Sequence, residues 1–207
     1  MKSHLVERNT FSGLACLGLW GLCLILHLGA IQLLWAEFPA GYPRQADLGV
    51  QGIFLSDRRS AENILGKNRT LAAFPDGRFY LKCMNRDRSE ILTLYQHRGA
   101  AINTFQEFKV ESAFARFEPA ECFLKDVERF ISFRKVKLGM SLKEVIDIFG
   151  EDYTVQSVGA ELYLQYAIDS NLHSKFLQSY QETRYYGRYF FRGGKLREYE
   201  FGFPQRP

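Results

Sequence analysis

A long uncharged segment near the N-terminus divides this chain of 207 residues into two parts of different character. Residues 9–36 contain no Asp, Glu, Lys or Arg, and residues 14–35 are nearly all apolar. Because a helix needs about 20 apolar residues to cross the ~30 Å hydrocarbon core of a bilayer, the segment predicts an uncleaved transmembrane signal anchor at residues 9–36. A cleaved signal peptide is the alternative, although its apolar core usually has only ~7–15 residues.

The charges on either side of this segment predict its orientation. Lys2 and Arg8 precede it, whereas Glu37 follows it. Since positive charges favour the cytoplasmic side, residues 1–8 are predicted to be cytoplasmic and the bulk of the chain to lie in the periplasm or exterior. The predicted localisation is that of a single-pass membrane protein, in the inner membrane if the source is bacterial. Residues 37–47 are then a polar linker.

Composition narrows the classes of function. The chain is 46% apolar and 24% charged, which is typical of a globular protein. Its net charge is +4, and it contains no run of five or six like charges, so a nucleic-acid partner is not predicted. The sequence shows no zinc-type cluster of Cys and His and no hydrolase or phosphate-loop motif. We therefore expect no cofactor, no metal and no enzymatic activity.

An internal repeat covers much of the chain beyond the linker. Residues 54–67 align with residues 138–151, with the apolar positions and the final glycines in register. Further along, residues 98–102 align with residues 192–196, at an offset ten residues larger. An insertion in the polar stretch 169–181 of the second copy accounts for the larger offset. Repeats of this kind predict a structural unit that occurs twice.

Each copy is predicted to begin with a short helix. In the second copy Ser141 and Glu144 form a capping-box pattern ahead of apolar residues at helical spacing. In the first copy Asp57 takes the position of the N-cap. Gly66 and Gly150 end the two helices, because glycine adopts the left-handed conformation at low cost.

Alternating apolar residues follow each helix and predict strands, since side chains along a strand point to opposite faces. Each copy is thus a helix followed by a meander of about three strands. The predicted fold class is α+β, with an N-terminal transmembrane helix followed by two tandem helix-plus-antiparallel-sheet modules. The first module is placed at residues 48–117 and the second at residues 118–207.

The register of the last hairpin can be argued from its side chains. A turn made by the two glycines alone would mix apolar and charged residues on both faces of the hairpin. A three-residue loop at residues 193–195 instead makes Tyr189 face Tyr199 and Phe191 face Arg197, which collects the aromatic residues on one face. We predict this second register.

The second copy carries a motif that is similar to a known module. It begins with Leu-Gly-Met-Ser at residues 138–141, continues with an amphipathic helix that ends in Phe149-Gly150, and closes with aromatic strands through residues 191–199. This pattern resembles the helix-plus-sheet module shared by β-lactamase inhibitory protein and the small outer-membrane assembly lipoproteins of the SmpA/OmlA type. The first copy departs from it, with Leu-Ser-Asp at residues 55–57. The resemblance implies a binding module of the cell envelope that presents a sheet face or loops to another protein, without catalysis.

The four cysteines fall into two pairs. Cys16 and Cys23 lie within the apolar segment, whereas Cys83 and Cys122 lie beyond it. An oxidising compartment would permit a Cys83–Cys122 disulfide, and two separate buried thiols are the alternative.

Basic and aromatic residues alternate in the last hairpin and supply the candidate binding residues Tyr186, Arg188, Phe190, Arg192 and Arg197. Arginine and aromatic side chains dominate protein interfaces. The alternative is a solvated charged face that neighbouring glutamates neutralise.

The leading hypothesis is a membrane-anchored extracytoplasmic protein-binding module that supports assembly or regulation of a cell-envelope complex. Its partners would be the membrane, through residues 9–36, and another envelope or membrane protein. A sensor of an anionic lipid, glycan or small ligand, acting through the Arg/Tyr-rich hairpin, is the second hypothesis. An unrecognised hydrolase is the third.

Overall fold

The computed structural model describes residues 42–113, 122–159, 161–169 and 174–205, and these belong to one compact unit. The strands within these ranges are β1 Gly49–Val50, β2 Ile53–Phe54, β3 Ala72–Ala73, β4 Phe79–Met84, β5 Glu90–Gln96, β6 Glu107–Ser112, β7 Cys122–Phe123, β8 Thr154–Val158, β9 Glu161–Asp169, β10 Arg184–Arg192 and β11 Lys195–Gly202. The helices are α1 Arg58–Leu65, α2 Leu142–Phe149 and α3 Lys175–Tyr180.

Nine of the strands form one sheet in the order β3-β4-β5-β6-β11-β10-β9-β8, with β7 beside β4. All pairings along this order are antiparallel, and the β7 pairing with β4 is parallel. Strands β1 and β2 form a separate two-stranded hairpin. The described part of the chain is therefore mainly antiparallel sheet.

The fold class predicted from the sequence is wrong on two counts. The described residues are mainly antiparallel sheet with only three short helices, which is only partly compatible with the predicted α+β class. The predicted span at residues 9–36 lies outside the described residues, and no helix among those described is long and apolar enough to cross a membrane. The transmembrane helix, the signal anchor and the single-pass membrane location are withdrawn as predictions. The prediction of a membrane span rests on the apolar character and the length of a segment. These two properties do not by themselves establish that the segment forms a transmembrane helix.

The two helices that the repeat predicts are present with the predicted caps. Ser141 and Glu144 form a capping box in which each side chain bonds the backbone N–H of the other residue. The side chain of Asp57 accepts a hydrogen bond from the backbone of Arg59 at the start of α1. Gly66 and Gly150 end these helices with φ of 86° and 89°, a region where a side chain would be strained.

Both copies contribute strands to the same sheet. Helix α1 precedes β4, β5 and β6, and α2 precedes β8 to β11, but β6 pairs directly with β11, for example Val110 with Tyr199. This pairing joins the strands of the two copies edge to edge. The boundary predicted between residues 117 and 118 lies outside the described residues, and that division stays a prediction.

The hydrophobic core lies on one face of the sheet, under the helices. Phe149 of α2 packs on Tyr166 and Tyr189, with ring centroids 5.3 and 5.0 Å apart, and Phe176 of α3 packs on Tyr185 at 5.5 Å. The core face of the sheet is lined by buried residues from six strands: Leu81, Cys83, Leu92, Leu94, Phe108, Val110, Leu164, Tyr166, Tyr185, Tyr189, Phe191, Leu196, Tyr199 and Phe201.

The predicted register of the last hairpin is confirmed along its length and wrong at its tip. Tyr189 faces Tyr199, as the side-chain argument requires. Phe191, however, faces Leu196, because Gly193 and Gly194 alone make the turn and an irregularity between Phe190 and Phe191 restores the register. A bulge thus combines the short turn with the burial of the aromatic face.

The structure joins Cys83 and Cys122 in a disulfide. The two residues face each other across the parallel pairing of β4 and β7, and both are buried. The disulfide therefore fastens β7 to the edge of the sheet.

Candidate functional site

The face of the sheet opposite the helices is called the open face here. It carries the side chains that alternate with those of the core, and most of these are polar, charged or aromatic. On β10 this alternation gives Tyr186, Arg188, Phe190 and Arg192 to the open face, while Tyr185, Tyr189 and Phe191 are buried in the core. Four of the five predicted binding residues thus share one face of one strand.

An aromatic pair stands out on the open face. The rings of Tyr163, on β9, and Phe190, on β10, meet edge to face with centroids 4.5 Å apart. Both side chains are half-buried. A cavity of about 210 Å³ lies on one side of the pair, with Arg192 and Arg197 in its wall, and a cavity of about 260 Å³ on the other side includes Arg188. The two rings form a ridge between the two cavities.

The fifth predicted residue, Arg197, reaches this site from the next strand. It lies at the bulge in β11, where Leu196 faces Phe191 and Glu198 faces Phe190. Its exposed side chain lines the same cavity as Phe190 and Arg192. The bulge therefore brings Arg197 to the predicted site.

The arginines of β10 are held by carboxylates on neighbouring strands. Arg188 Nη1 lies 3.0 Å from Glu200 Oε1, and Arg192 pairs with Glu161. The guanidinium of Arg188 also lies over the ring of Tyr186, 4.8 Å from its centroid. Ion pairs of this kind fix the side-chain positions before any partner binds, which lowers the entropy cost of binding.

Tyr186 is a predicted binding residue, but its hydroxyl is not available to a partner. Its side chain is buried and its hydroxyl donates a hydrogen bond to Oε2 of Glu107. Burial, with the nearby charge of Glu107, raises the pKa of Tyr186 well above its ordinary value, so the hydroxyl stays protonated. Tyr186 instead supports the stacked Arg188.

Glu107 is the centre of a polar cluster that sequence reasoning missed. Its Oε1 lies 2.8 Å from Nε2 of His97 and 3.4 Å from Nη1 of Arg78, and only 7% of its side chain is exposed. These groups come from three strands or their ends, and Tyr186 lies 79 residues further along the chain. No local pattern links residues so far apart in sequence.

A second group of charges lies at the centre of the open face, where β6 meets β11. Lys109 Nζ lies 3.1 Å from Glu111 and 3.2 Å from Glu198. Burial alone would lower the pKa of Lys109, but the two carboxylates outweigh it and the pKa is raised. Burial raises the pKa of Glu198, and Lys109 partly offsets that rise. The centre of the face is therefore charged, paired and partly desolvated.

A further aromatic group occupies the opposite end of the open face. Phe74 packs on Tyr80 and Tyr95, with ring centroids 4.4 and 5.9 Å apart. The guanidinium of Arg78 lies 5.5 Å from the centroid of Phe74 and 5.2 Å from that of Tyr95. Each end of the open face thus combines aromatic rings with arginine.

Across the described ranges, no group of three or more His, Cys, Asp or Glu could hold a metal ion. The described histidine, His97, contacts the carboxylate of Glu107 within the polar cluster.

Comparisons with known proteins add no relatives. The chain matches no protein-family model, and neither a curated protein nor a solved structure matches it. The resemblance to β-lactamase inhibitory protein and to the SmpA/OmlA-type lipoproteins stays a prediction.

Proposed function

We propose that this chain is a protein-binding module that docks a partner protein on the open face of its sheet. One observation carries the proposal. The Tyr163–Phe190 pair rises between two cavities and is surrounded by Arg188, Arg192 and Arg197. Aromatic rings and arginine, grouped on an accessible surface, are the side chains that supply most of the free energy at protein interfaces.

The size of the cavities favours a protein partner over a small molecule. Small-molecule sites usually enclose about 300–1,000 Å³. The cavities beside Phe190 have only about 210 and 260 Å³. Each is suited to a single side chain of a partner, placed on one side of the aromatic ridge.

The pairing of the arginines disfavours an anionic ligand as the main target. A larger cavity of about 380 Å³ is lined by Arg78, Arg184 and Arg188. Each of these arginines already contacts a carboxylate, at 2.9 Å for Arg78 with Asp76, 2.6 Å for Arg184 with Asp169, and 3.0 Å for Arg188 with Glu200. These carboxylates already neutralise the arginines and would repel a second anion, whereas a protein partner can use the paired side chains as they stand.

The proposal is tested with two matched variants of the full-length chain. Phe190→Ala combined with Arg197→Ala removes one ring of the ridge and a neighbouring arginine, and Arg59→Ala removes an exposed arginine from α1, on the helix side of the sheet. Because a hot-spot truncation costs about 2 kcal/mol or more, which corresponds to about 30-fold in affinity, the double variant should lose at least about 30-fold in affinity for a stoichiometric partner recovered with the wild-type protein. Arg59→Ala should keep that affinity.

Thermal unfolding of both variants controls for loss of structure. Equal recovery of the partner by the folded double variant and by the wild-type protein would place the interface elsewhere. Recovery of no stoichiometric partner by the wild-type protein would contradict the proposed function itself.

A further inference from the structure

A cavity larger than those beside Phe190 lies at one end of the sheet. Its volume is about 530 Å³, within the range of about 300–1,000 Å³ that is usual for small-molecule sites. Its wall is formed by residues 97–100 after β5, by Gln106 before β6, by residues 180–182 at the end of α3 and by Gln205 after β11. None of these residues lines the cavities beside Phe190. The cavity is therefore a separate site, and its size suits a small molecule.

Hydrogen bonds hold the sheet side of this wall in place. The backbone N–H of His97 donates to Oε1 of Gln106 at 2.9 Å, and Nε2 of His97 lies 2.8 Å from Oε1 of the buried Glu107. The backbone N–H of Gln106 donates to the carbonyl of Tyr95, and its carbonyl accepts from the N–H of Phe203, both at 2.9 Å. The wall is thus formed before a ligand binds, which lowers the entropy cost of binding.

The same hydrogen bonds determine which groups a ligand can use. Because an ionised carboxylate only accepts hydrogen bonds, Nε2 of His97 carries the proton, and Nδ1 of the neutral ring is an acceptor. Oε1 of Gln106 is occupied by His97, so this side chain offers its Nε2 as a donor. Neither Nδ1 of His97 nor Nε2 of Gln106 has a hydrogen-bond partner among the described residues. Oε1 of Gln205 is a buried acceptor that also lacks a partner within the described ranges, and such a group is costly unless something donates to it.

The wall of this cavity contains one charge of each sign. Arg98 is exposed and makes no ion pair with any carboxylate of the described residues, which distinguishes it from Arg78, Arg184 and Arg188. Glu182 lines the cavity from the end of α3, and a carboxylate can accept several donors at once. The cation and the carboxylate thus lie on different segments of the wall and are not paired with each other.

We propose that this cavity binds a small zwitterion, either a free amino acid or a peptide of two or three residues. The carboxylate of the ligand pairs with Arg98 and accepts from Nε2 of Gln106. Its ammonium group donates to Glu182 and to Oε1 of Gln205. A purely anionic ligand would be repelled by Glu182 and a purely cationic one by Arg98, whereas a neutral sugar would use neither charge. The site is independent of the protein partner proposed for the open face.

The test begins with mixtures of ligands and the full-length chain. Saturation-transfer difference NMR, which detects ligands that contact the protein, is recorded with a mixture of the twenty amino acids and with a mixture of di- and tripeptides. At least one component should give a signal. Each ligand so detected is titrated by calorimetry beside its N-acetylated and its C-amidated forms, and each blocked form should bind at least about 10-fold more weakly, since it lacks one charged contact. No signal from either mixture, or full affinity in either blocked form, would overturn the proposal.

Matched arginine variants test whether the ligand lies in this cavity. Arg98→Gln and Arg59→Gln each remove one exposed arginine charge, and Arg59 lies on α1, outside the cavity wall. Arg98→Gln should weaken binding of the detected ligand at least about 10-fold, and Arg59→Gln should leave it unchanged, with thermal unfolding as the control for folding. Phe190→Ala with Arg197→Ala should also keep this affinity, because the ridge is a separate site. Equal affinity of the wild-type protein and folded Arg98→Gln would contradict the proposed site.

Discussion

Asp47 places a carboxyl group inside the core, next to Tyr185 of β10. Its Oδ1 accepts hydrogen bonds from the backbone N–H of Leu48 at 2.9 Å and of Arg134 at 3.2 Å, and Oδ2 has no hydrogen-bond partner among the described residues. Its backbone N–H donates to the hydroxyl of Tyr185. Burial raises the pKa of Asp47 from 3.8 to about 6, although the side chain of Ser132, the backbone donors of Leu48 and Arg134 and the charge of Arg134 oppose the rise.

This pKa makes stability depend on pH in a definite direction. Between pH ~4 and ~6 the folded chain holds a proton at Asp47 that the unfolded chain releases, so stability should fall as pH rises through that window. The contribution amounts to at most about 3 kcal/mol, at 1.36 kcal/mol per pKa unit. Asp47→Asn should flatten the slope, measured as the free energy of unfolding from pH 4 to 7, and replacement of an exposed carboxylate on α2, Asp147→Asn, should retain it. An unchanged slope in Asp47→Asn would refute this assignment.

At the scale of single elements, β7 illustrates how a short strand is retained. It has two residues, and its parallel pairing with β4 contributes few hydrogen bonds. The disulfide between Cys83 and Cys122 closes a loop with a sequence separation of 39. In the chain-entropy account, a cross-link over a loop of this length stabilises the fold by about 4 kcal/mol through the unfolded state.

Replacing both cysteines, Cys83→Ala with Cys122→Ala, should therefore lower the free energy of unfolding by up to about 4 kcal/mol. Denaturant unfolding with and without reductant measures the effect. Reductant should shift the wild-type midpoint toward that of the double variant and leave the variant unchanged. A wild-type midpoint that does not respond to reductant once the bond is open would show that β7 is held by packing alone.

Local patterns account for the elements that could be predicted from the sequence. Capping residues and a closing glycine lie close together in sequence, so α1 and α2 could be predicted. The alternation of side chains predicted the pairing of Tyr189 with Tyr199. Helix α3 was missed within the polar stretch 169–181, because it has six residues and its buried pair, Phe176 and Leu177, shows no periodicity.

At the scale of the whole molecule, long-range pairing decides the architecture. The joining of β6 to β11 depends on strands about ninety residues apart, which no local pattern specifies, and it places the strands of both predicted copies in one sheet. The candidate site follows the same rule. Alternation on β10 predicted Arg188, Phe190 and Arg192, whereas Tyr163 and the Glu107 cluster come from other strands and were not predicted.

The claim that the open face binds a protein is tested most directly by photo-cross-linking. A photoreactive phenylalanine analogue in place of Phe190 reports on the ridge, and the same analogue in place of Ile64, which is 43% exposed on α1, reports on the helix side. The account predicts a cross-linked product of one defined mass from position 190 and none from position 64. A product from position 64 alone, or none from position 190 in cells that contain the partner, would contradict it.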